Sequence, residues 1–135
     1  MTESTAVLFA NDTFYAAFQG RDMAAMERLW ARRAPVACIH PGWPALAGRD
    51  EVMESWRGIL EGDSPPDIAS RGAQAFVQGE SAFVVCYELI GGGVLIATNV
   101  FVREEGDWRM VHHQAGPCNL VPDELGEPEE TGPLQ

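Results

Sequence analysis

The sequence lacks a long apolar run, and this absence argues against a membrane-spanning helix. None of its hydrophobic stretches approaches the roughly 20 apolar residues that are needed to cross a bilayer. Its first residues, Met-Thr-Glu-Ser-Thr, also lack the basic start and apolar run of a signal peptide. We therefore expect a soluble cytoplasmic protein that has no membrane partner.

Cysteine and basic residues are scarce. The three cysteines form no CxxC pair, and an odd count fits reduced thiols better than a disulfide framework. A formal net charge of -11 argues against nucleic acid as a partner. Five of the 20 acidic residues lie between Pro117 and Gln135, where there is no Lys or Arg. The acidity is therefore partly local and says little about a binding site.

Sequence motifs of several enzyme classes are also absent. The chain has no GxSxG elbow, no Walker loop and no dinucleotide fingerprint. Cys38 and His40 share one face of a predicted strand, but zinc normally takes three or four ligands. The adjacent His112 and His113 point to opposite faces of a strand. We expect neither a metal nor a cofactor.

The residues that are present predict one α+β domain. A chain of 135 residues that is 46% hydrophobic can form one real core. Helical spacing from Ser4 to Gln19 predicts a first helix, Asp22 is a candidate cap for a second helix that Pro35 ends, and Gly48 introduces a third. Strands are predicted at 36–40, 68–78, 81–90, 94–103 and 108–115. This segregated order indicates helices packed on an antiparallel sheet.

The domain is predicted to span residues 1–117, followed by a tail at residues 118–135. The tail is acidic and rich in proline, so we expect it to be extended or disordered.

The stretch from Val94 to Ala115 is typical of a β-hairpin. We predict three-residue loops at 104–106 and at 91–93. With these loops, the face towards the helices carries Tyr87, Asn99, Phe101 and His113. The other face carries Cys86, Glu88, Trp108, Met110 and His112. Both faces are largely apolar, so both need a cover. Helices cover one face, and a second subunit is the natural cover for the other.

Two motifs give the chain a family resemblance. Cys-Ile-His-Pro-Gly-Trp precedes a Gly-Arg-Asp helix, and Trp-Arg-Met-Val-His-His-Gln-Ala-Gly-Pro ends the last strand. In these motifs and in element order, residues 4–117 resemble the nuclear transport factor 2-like superfamily, and the SnoaL-like proteins most closely. The chain is also similar to ketosteroid isomerase and to the association domain of calcium/calmodulin-dependent kinase.

The resemblance implies a fold more firmly than a function. It implies a cone in which three N-terminal helices pack on the concave face of a curved antiparallel sheet, a cystatin-like α+β barrel. It also implies a homodimer through the outer sheet face. Family members include isomerases, polyketide cyclases, dehydratases and non-catalytic assembly domains, so the fold does not give the chemistry.

Three residues lie near functional positions of ketosteroid isomerase. Tyr15 lies near its oxyanion-hole tyrosine, His40 near its catalytic aspartate, and Asn99 near the protonated aspartate that completes that hole. A histidine can act as a general base, and an asparagine can donate a hydrogen bond to an oxyanion. Acid–base chemistry is therefore retained in this interpretation, whereas steroid isomerisation itself is not supported.

Each of these residues also has a purely structural interpretation. His40 could simply bond to the backbone at the end of a strand, and the ring of Tyr15 could pack while its hydroxyl meets water. His113, the candidate orienting residue or second acid, could equally be a satisfied core histidine. Among the candidate ligand contacts, Trp43, Trp56, Tyr87 and Phe101, the helical Trp56 is more typical of plain core.

Two functions stay open. The first is a pocket that binds a small hydrophobic carbonyl compound and performs acid–base chemistry, as in isomerases, cyclases or dehydratases. In it, His40 is the base and Tyr15 and Asn99 are the polarising donors. The second is a non-catalytic ligand-binding or dimeric assembly module. It is motivated by the absence of the isomerase's carboxylates at the matched positions.

Overall fold

The computed structural model describes residues 2–126 as three helices on one face of a curved, unclosed sheet. The helices are α1 (Glu3–Gln19), α2 (Met23–Leu29) and α3 (Arg49–Leu60). The strands are β1 (Ala37–Ile39), β2 (Leu46–Ala47), β3 (Ile68–Gln78), β4 (Ser81–Ile90), β5 (Gly93–Glu104) and β6 (Asp107–Pro117). They form one sheet in the order β2-β1-β6-β5-β4-β3. The predicted α+β class is confirmed.

The ends of the helices follow from local chemistry. The Asp22 side chain accepts a hydrogen bond from the backbone N–H of Ala25, as expected of an N-cap. Helix α2 ends at Leu29, several residues before the predicted stop at Pro35. It ends early because Ala31 donates its N–H to the carbonyl of Met110 on β6. The Arg49 guanidinium donates to the carbonyls of Glu27, Trp30 and Ala31, which satisfies the end of this helix.

Both hairpin loops are one residue shorter than predicted. Ile90 pairs with Gly93, and Glu104 pairs with Asp107, so each loop has two residues. All four loop residues have positive φ, with Glu105 at 57° and Gly106 at 86° in the second loop. Two consecutive residues of positive φ are typical of a type I′ turn, whose twist matches that of the flanking strands. The prediction of three-residue loops was therefore wrong.

The shorter loops change which side chains face the helices. On β4, Cys86 and Glu88 face inward, whereas the predicted inward residue Tyr87 pairs with the exposed Ile96 on the outer face. Trp108 and Met110 on β6 also face inward. A bulge at Val111 then restores the predicted orientation of His113, which pairs with Asn99. An error of one residue in register thus reverses a whole strand face.

Strand β1 departs from the otherwise antiparallel sheet. It pairs with β6 in parallel, and Cys38 lies opposite His113. The two-residue strand β2, which was not predicted, closes this edge. The parallel pairing brings the end of β1, and with it His40, beside the C-terminal part of β6.

Part of the predicted tail has regular structure. Pro122–Leu125 forms a 3₁₀ helix, where an extended or disordered segment was predicted. Residues 127–135, the remainder of that tail, lie outside the described residues.

Glu104 anchors the segment that follows α2. Its carboxylate accepts three backbone hydrogen bonds, from Arg32 at 2.8 Å, Arg33 at 3.0 Å and Ala34 at 3.1 Å. Burial alone would raise the pKa of Glu104, but the three N–H donors outweigh it and lower the pKa. The stabilisation from this carboxylate is therefore present at neutral pH and is lost as the pH falls through its lowered pKa.

We expect Glu104→Ala to lower the free energy of unfolding by about 2–4 kcal/mol at pH 7, because three N–H groups lose a charged acceptor. Chemical denaturation followed by circular dichroism measures this change. The control is Glu80→Ala, at an exposed turn, which should stay within about 0.5 kcal/mol of the wild type. Equal effects of the two variants would contradict the anchoring role.

Candidate functional site

Tyr15 is the centre of a buried polar cluster between α1 and the sheet. Its hydroxyl donates to Glu88 Oε2 at 2.6 Å and lies 3.2 Å from Cys86 Sγ. Asn99 Nδ2 donates to the same hydroxyl at 3.2 Å. Burial, together with the nearby Cys86 and Glu88, raises the pKa of Tyr15 well above its usual range. The phenol therefore stays protonated at neutral pH and acts as a hydrogen-bond donor.

Asn99 and His113 extend this cluster across β5 and β6. His113 Nδ1 lies 2.6 Å from Asn99 Oδ1, and Asn99 Nδ2 donates to Asn11 Oδ1 at 2.8 Å. Because the amide oxygen can only accept, we assign the proton of the imidazole to Nδ1. The other nitrogen of His113, Nε2, then carries a lone pair. Burial, with His40 and His112 adding smaller effects, lowers the pKa of His113 to about 3, so its ring is neutral.

Glu88 completes the cluster and was missed in the sequence analysis. Its side chain is fully enclosed, and its Oε2 lies 4.0 Å from His113 Nε2, beyond hydrogen-bond distance. Burial raises the pKa of Glu88 to about 6, although the hydrogen bond from Tyr15 lowers it in part. No arginine of residues 2–126 forms an ion pair with this carboxylate. A carboxyl group with a pKa this close to neutrality can both take up and release a proton.

His40 is buried near this cluster but does not belong to it. The Ser55 hydroxyl donates to the carbonyl of Val52 at 2.7 Å, so it accepts from His40 Nε2 at 2.9 Å. The Trp56 ring lies against both histidines, with its centroid 4.7 Å from that of His40 and 5.9 Å from that of His113. Burial lowers the pKa of His40 to about 4. His40 is therefore a weaker base than Glu88.

The four predicted ligand contacts lie in three different environments. Trp56 and Phe101 are fully buried core residues on the inner side. Trp43 is 46% exposed, and its ring makes a T-shaped contact with that of His40, with the two ring centroids 4.9 Å apart. Tyr87 lies on the outer face and is excluded from this site, because the β4–β5 loop has two residues. A two-residue Gly-Gly loop was the signal in the sequence that would have placed Glu88 inward instead.

Two donors of the cluster region have no acceptor. Asn11 Nδ2 and Trp56 Nε1 are buried and make no hydrogen bond to any of the described residues. Most buried N–H groups in proteins are paired with other protein groups or with water. Among residues 2–126, no group of three or more metal-ligating side chains converges. None of the helices in that range is long and apolar enough to cross a membrane.

Comparison with known proteins agrees with the arrangement of helices and sheet. The family profile described as the SnoaL-like domain matches residues 7–118. The chain belongs to the SnoaL-like family. Its fold is the cystatin-like α+β fold that was predicted, and the resemblance to the nuclear transport factor 2-like superfamily is confirmed.

Two solved structures are similar to this SnoaL-like chain in sequence as well as in fold. A candidate dehydratase of the nuclear transport factor 2-like family from Streptomyces avermitilis is 31% identical with a TM-score of 0.77, over 85% of this chain and 95% of that one. A candidate calcium/calmodulin-dependent protein kinase type II association domain from Thiobacillus denitrificans is 34% identical with a TM-score of 0.72. That match covers 82% of this chain and 93% of the other.

A curated relative is much longer than this chain. The F-box protein SKIP8 of Arabidopsis thaliana is 30% identical over 112 residues, which make up 82% of this chain. The match covers 48% of SKIP8, so the chain spans about half the length of that relative.

Proposed function

We propose that this SnoaL-like protein binds a small hydrophobic carbonyl compound and moves a proton on it, with Glu88 as the base. The observation that carries this proposal is the buried carboxyl group bonded to the Tyr15 hydroxyl at 2.6 Å. An ionised carboxyl group enclosed in the core lowers stability unless it is paired, and Glu88 lacks an arginine or lysine partner within residues 2–126. The similarity to a candidate dehydratase supports proton chemistry of this kind.

The proposed reaction is an enolisation. Glu88 takes a proton from the carbon beside the carbonyl, the C–H electrons form the C=C bond of the enolate, and the carbonyl π electrons move to oxygen. Tyr15, held by Asn99, turns its O–H from Glu88 to this oxygen and stabilises the developing charge. Glu88 then returns the proton to the same or to another carbon.

The polar cluster changes the roles assigned from sequence. Tyr15 and Asn99 keep their proposed role as donors, and His113 keeps its role as orienting residue, because its Nδ1–H holds the Asn99 amide. His40 gives up the role of base to Glu88 and takes a structural role, bonded to Ser55 and packed against Trp43 and Trp56. The ligand-binding role of Tyr87 is dropped, since this side chain points away from the helices.

The test uses hydrogen–deuterium exchange beside a carbonyl, because it needs no prior substrate. The probe is 2-tetralone in D₂O, followed by proton NMR. We expect the protein to accelerate exchange, with a rate that rises with pH to a plateau above about pH 6, where Glu88 is ionised. Glu88→Gln should lower the protein-dependent rate about a hundredfold, within the range of acid–base catalysis.

His40→Gln is the matched variant, since it also removes a buried titratable group. It should leave most of the rate and its pH profile unchanged. A rate that is flat from pH 5 to pH 8 and is lost in His40→Gln, but not in Glu88→Gln, would assign the base to His40 instead. No acceleration with any cyclic ketone would favour the non-catalytic alternative.

We further propose that the outer sheet face forms a homodimer, which is also the basis of the alternative function as an assembly module. Phe76 and Phe83 stack on this face at 4.8 Å and are each more than 40% exposed. Ile96 adds a third exposed apolar side chain. Contiguous apolar surface of this kind marks an interaction site. The similarity to a candidate kinase association domain supports self-association.

A further inference from the structure

A groove of about 490 Å³ lies outside the polar cluster, between α1, α2 and the β5–β6 hairpin. Its walls include Phe9 and Thr13 of α1, Arg28 of α2, and Arg103, Trp108 and Arg109 of the hairpin. We refer to it as the arginine groove. Its volume lies within the range of small-molecule sites. None of the residues of the Tyr15 cluster lines it.

The charge of the arginine groove is opposite to that of the chain. The protein carries a formal net charge of -11, yet three arginines line this groove, and Asp107 is the acidic residue among its walls. Arg103 pairs with Glu3 at 3.2 Å and with Glu80 at 4.0 Å, and Arg109 pairs with Asp107 at 3.4 Å, all exposed ion pairs that water weakens. Arg28 is exposed and forms no ion pair among the described residues, so its charge can attract a negatively charged ligand.

Two donors in the walls lack an acceptor. Trp108 Nε1 and Arg109 Nε are buried and have no hydrogen-bond partner among residues 2–126. Only 8% of Trp108 is exposed, so water does not readily satisfy its indole N–H. The other nitrogens of Arg109 donate to the carbonyl of Arg28 and to Asp107 Oδ2, the latter at 3.4 Å. The walls of the groove thus contain polar as well as apolar groups.

The rest of the lining is apolar and contains flat rings. The Phe9 ring is 49% exposed and presents a flat apolar surface to the groove. Arg103 lies over the Trp108 ring at 5.5 Å, which holds the indole in place. Leu29 and the small side chains of Ala6 and Ala10 complete the apolar wall.

From these features we infer a second binding site, for an amphipathic organic anion that joins a flat apolar body to a carboxylate. The carboxylate accepts from the exposed guanidinium of Arg28, while the apolar body packs on Phe9. This site is independent of the proposed proton chemistry. Either proposal can therefore fail without the other.

The test compares 2-naphthoate with the neutral 2-naphthalenemethanol, which has the same ring system, by isothermal titration calorimetry. We expect 2-naphthoate to bind at least about tenfold more tightly, and its affinity to fall as salt is added. Arg28→Gln should weaken the binding of 2-naphthoate about tenfold, because Arg28 is exposed and has no ion pair among the described residues. Arg57→Gln on α3 is the matched control, since Arg57 lies outside the groove, and it should have no effect.

A second readout locates the bound probe. The indole N–H resonance of Trp108, identified by its absence in Trp108→Phe, should shift with 2-naphthoate, while that of Trp56 should not. Equal affinity for the two compounds, or unchanged affinity in Arg28→Gln, would overturn the anion site. A shift of the Trp56 signal alone would place the probe in the Tyr15 cluster and would also overturn it. The absence of 2-naphthoate binding at about 1 mM would also overturn the anion site.

Discussion

The free energy of unfolding of this SnoaL-like protein should be about 2–3 kcal/mol lower at pH 5 than at pH 7.5, because two histidines are buried in neutral form. Burial lowers the pKa of His113 from 6.5 to about 3 and that of His40 to about 4. Their contribution to stability is therefore complete above pH 6.5 and is lost as the pH falls towards the folded-state values. At pH 5 each unfolded histidine gains about 2 kcal/mol from protonation that the folded state forgoes.

Two effects reduce the sum of these contributions. His40 lies beside the half-exposed Trp43, so solvent screening makes its share smaller than that of His113. Glu88 acts in the opposite direction, because its folded-state pKa of about 6 lies above the unfolded value of 4.5. The folded protein therefore gains stability from Glu88 as the pH falls through 6, by about 1 kcal/mol at pH 5. The histidine effect is larger and decides the sign.

The measurement is urea denaturation at the two pH values for the wild type and for His113→Gln. In His113→Gln, the free energy of unfolding should fall less between pH 7.5 and pH 5. The fall should be about 2 kcal/mol smaller than in the wild type. His112→Gln is the control, because His112 is partly exposed and bonds only to the carbonyl of Ala37. A full pH effect that persists in the double variant His40→Gln/His113→Gln would show that other groups cause it.

The sequence was most informative where one residue type determines a local structure. Asp22 and Gly20 marked the boundary between α1 and α2, because caps and stops act through the nearest backbone groups. It failed at the hairpin loops, because the choice between two and three residues depends on whether Glu105 adopts positive φ. That choice is made by the twist of the flanking strands, a property of the whole sheet.

The candidate site shows how one such error propagates. Tyr15 and Asn99 were placed together by the resemblance to ketosteroid isomerase, and in the structure both side chains do face inward. Glu88 could not be placed with them, because the predicted β4–β5 loop turned it to the outer face. The orientation of His113 was predicted only because the unforeseen bulge at Val111 offset the shorter loop on β6. The boundary of α2 was missed for a comparable reason, since contacts with Met110 on a distant strand end it.

The same error affects the choice of residues on the proposed dimer face. Met110, placed outward by the predicted register, is fully buried against the helices, so its replacement would damage the core. A test of the dimer face should therefore replace Phe83 and not Met110. Phe83 stacks on Phe76 at the outer surface and has no contact with the polar cluster. An interface core excludes charge, because an unpaired carboxylate there loses its hydration without gaining a partner.

Phe83→Glu should therefore weaken the dimer about a hundredfold or more, which corresponds to about 3 kcal/mol or more of association free energy. Mass photometry and sedimentation over a concentration series measure this shift, and circular dichroism checks that the monomer stays folded. Phe9→Glu is the matched control, because Phe9 is similarly exposed but lies on α1. A dimer that is unchanged in Phe83→Glu, or one that Phe9→Glu disrupts instead, would place the interface away from the outer sheet face. A wild-type protein that is monomeric at all concentrations would contradict the dimer itself.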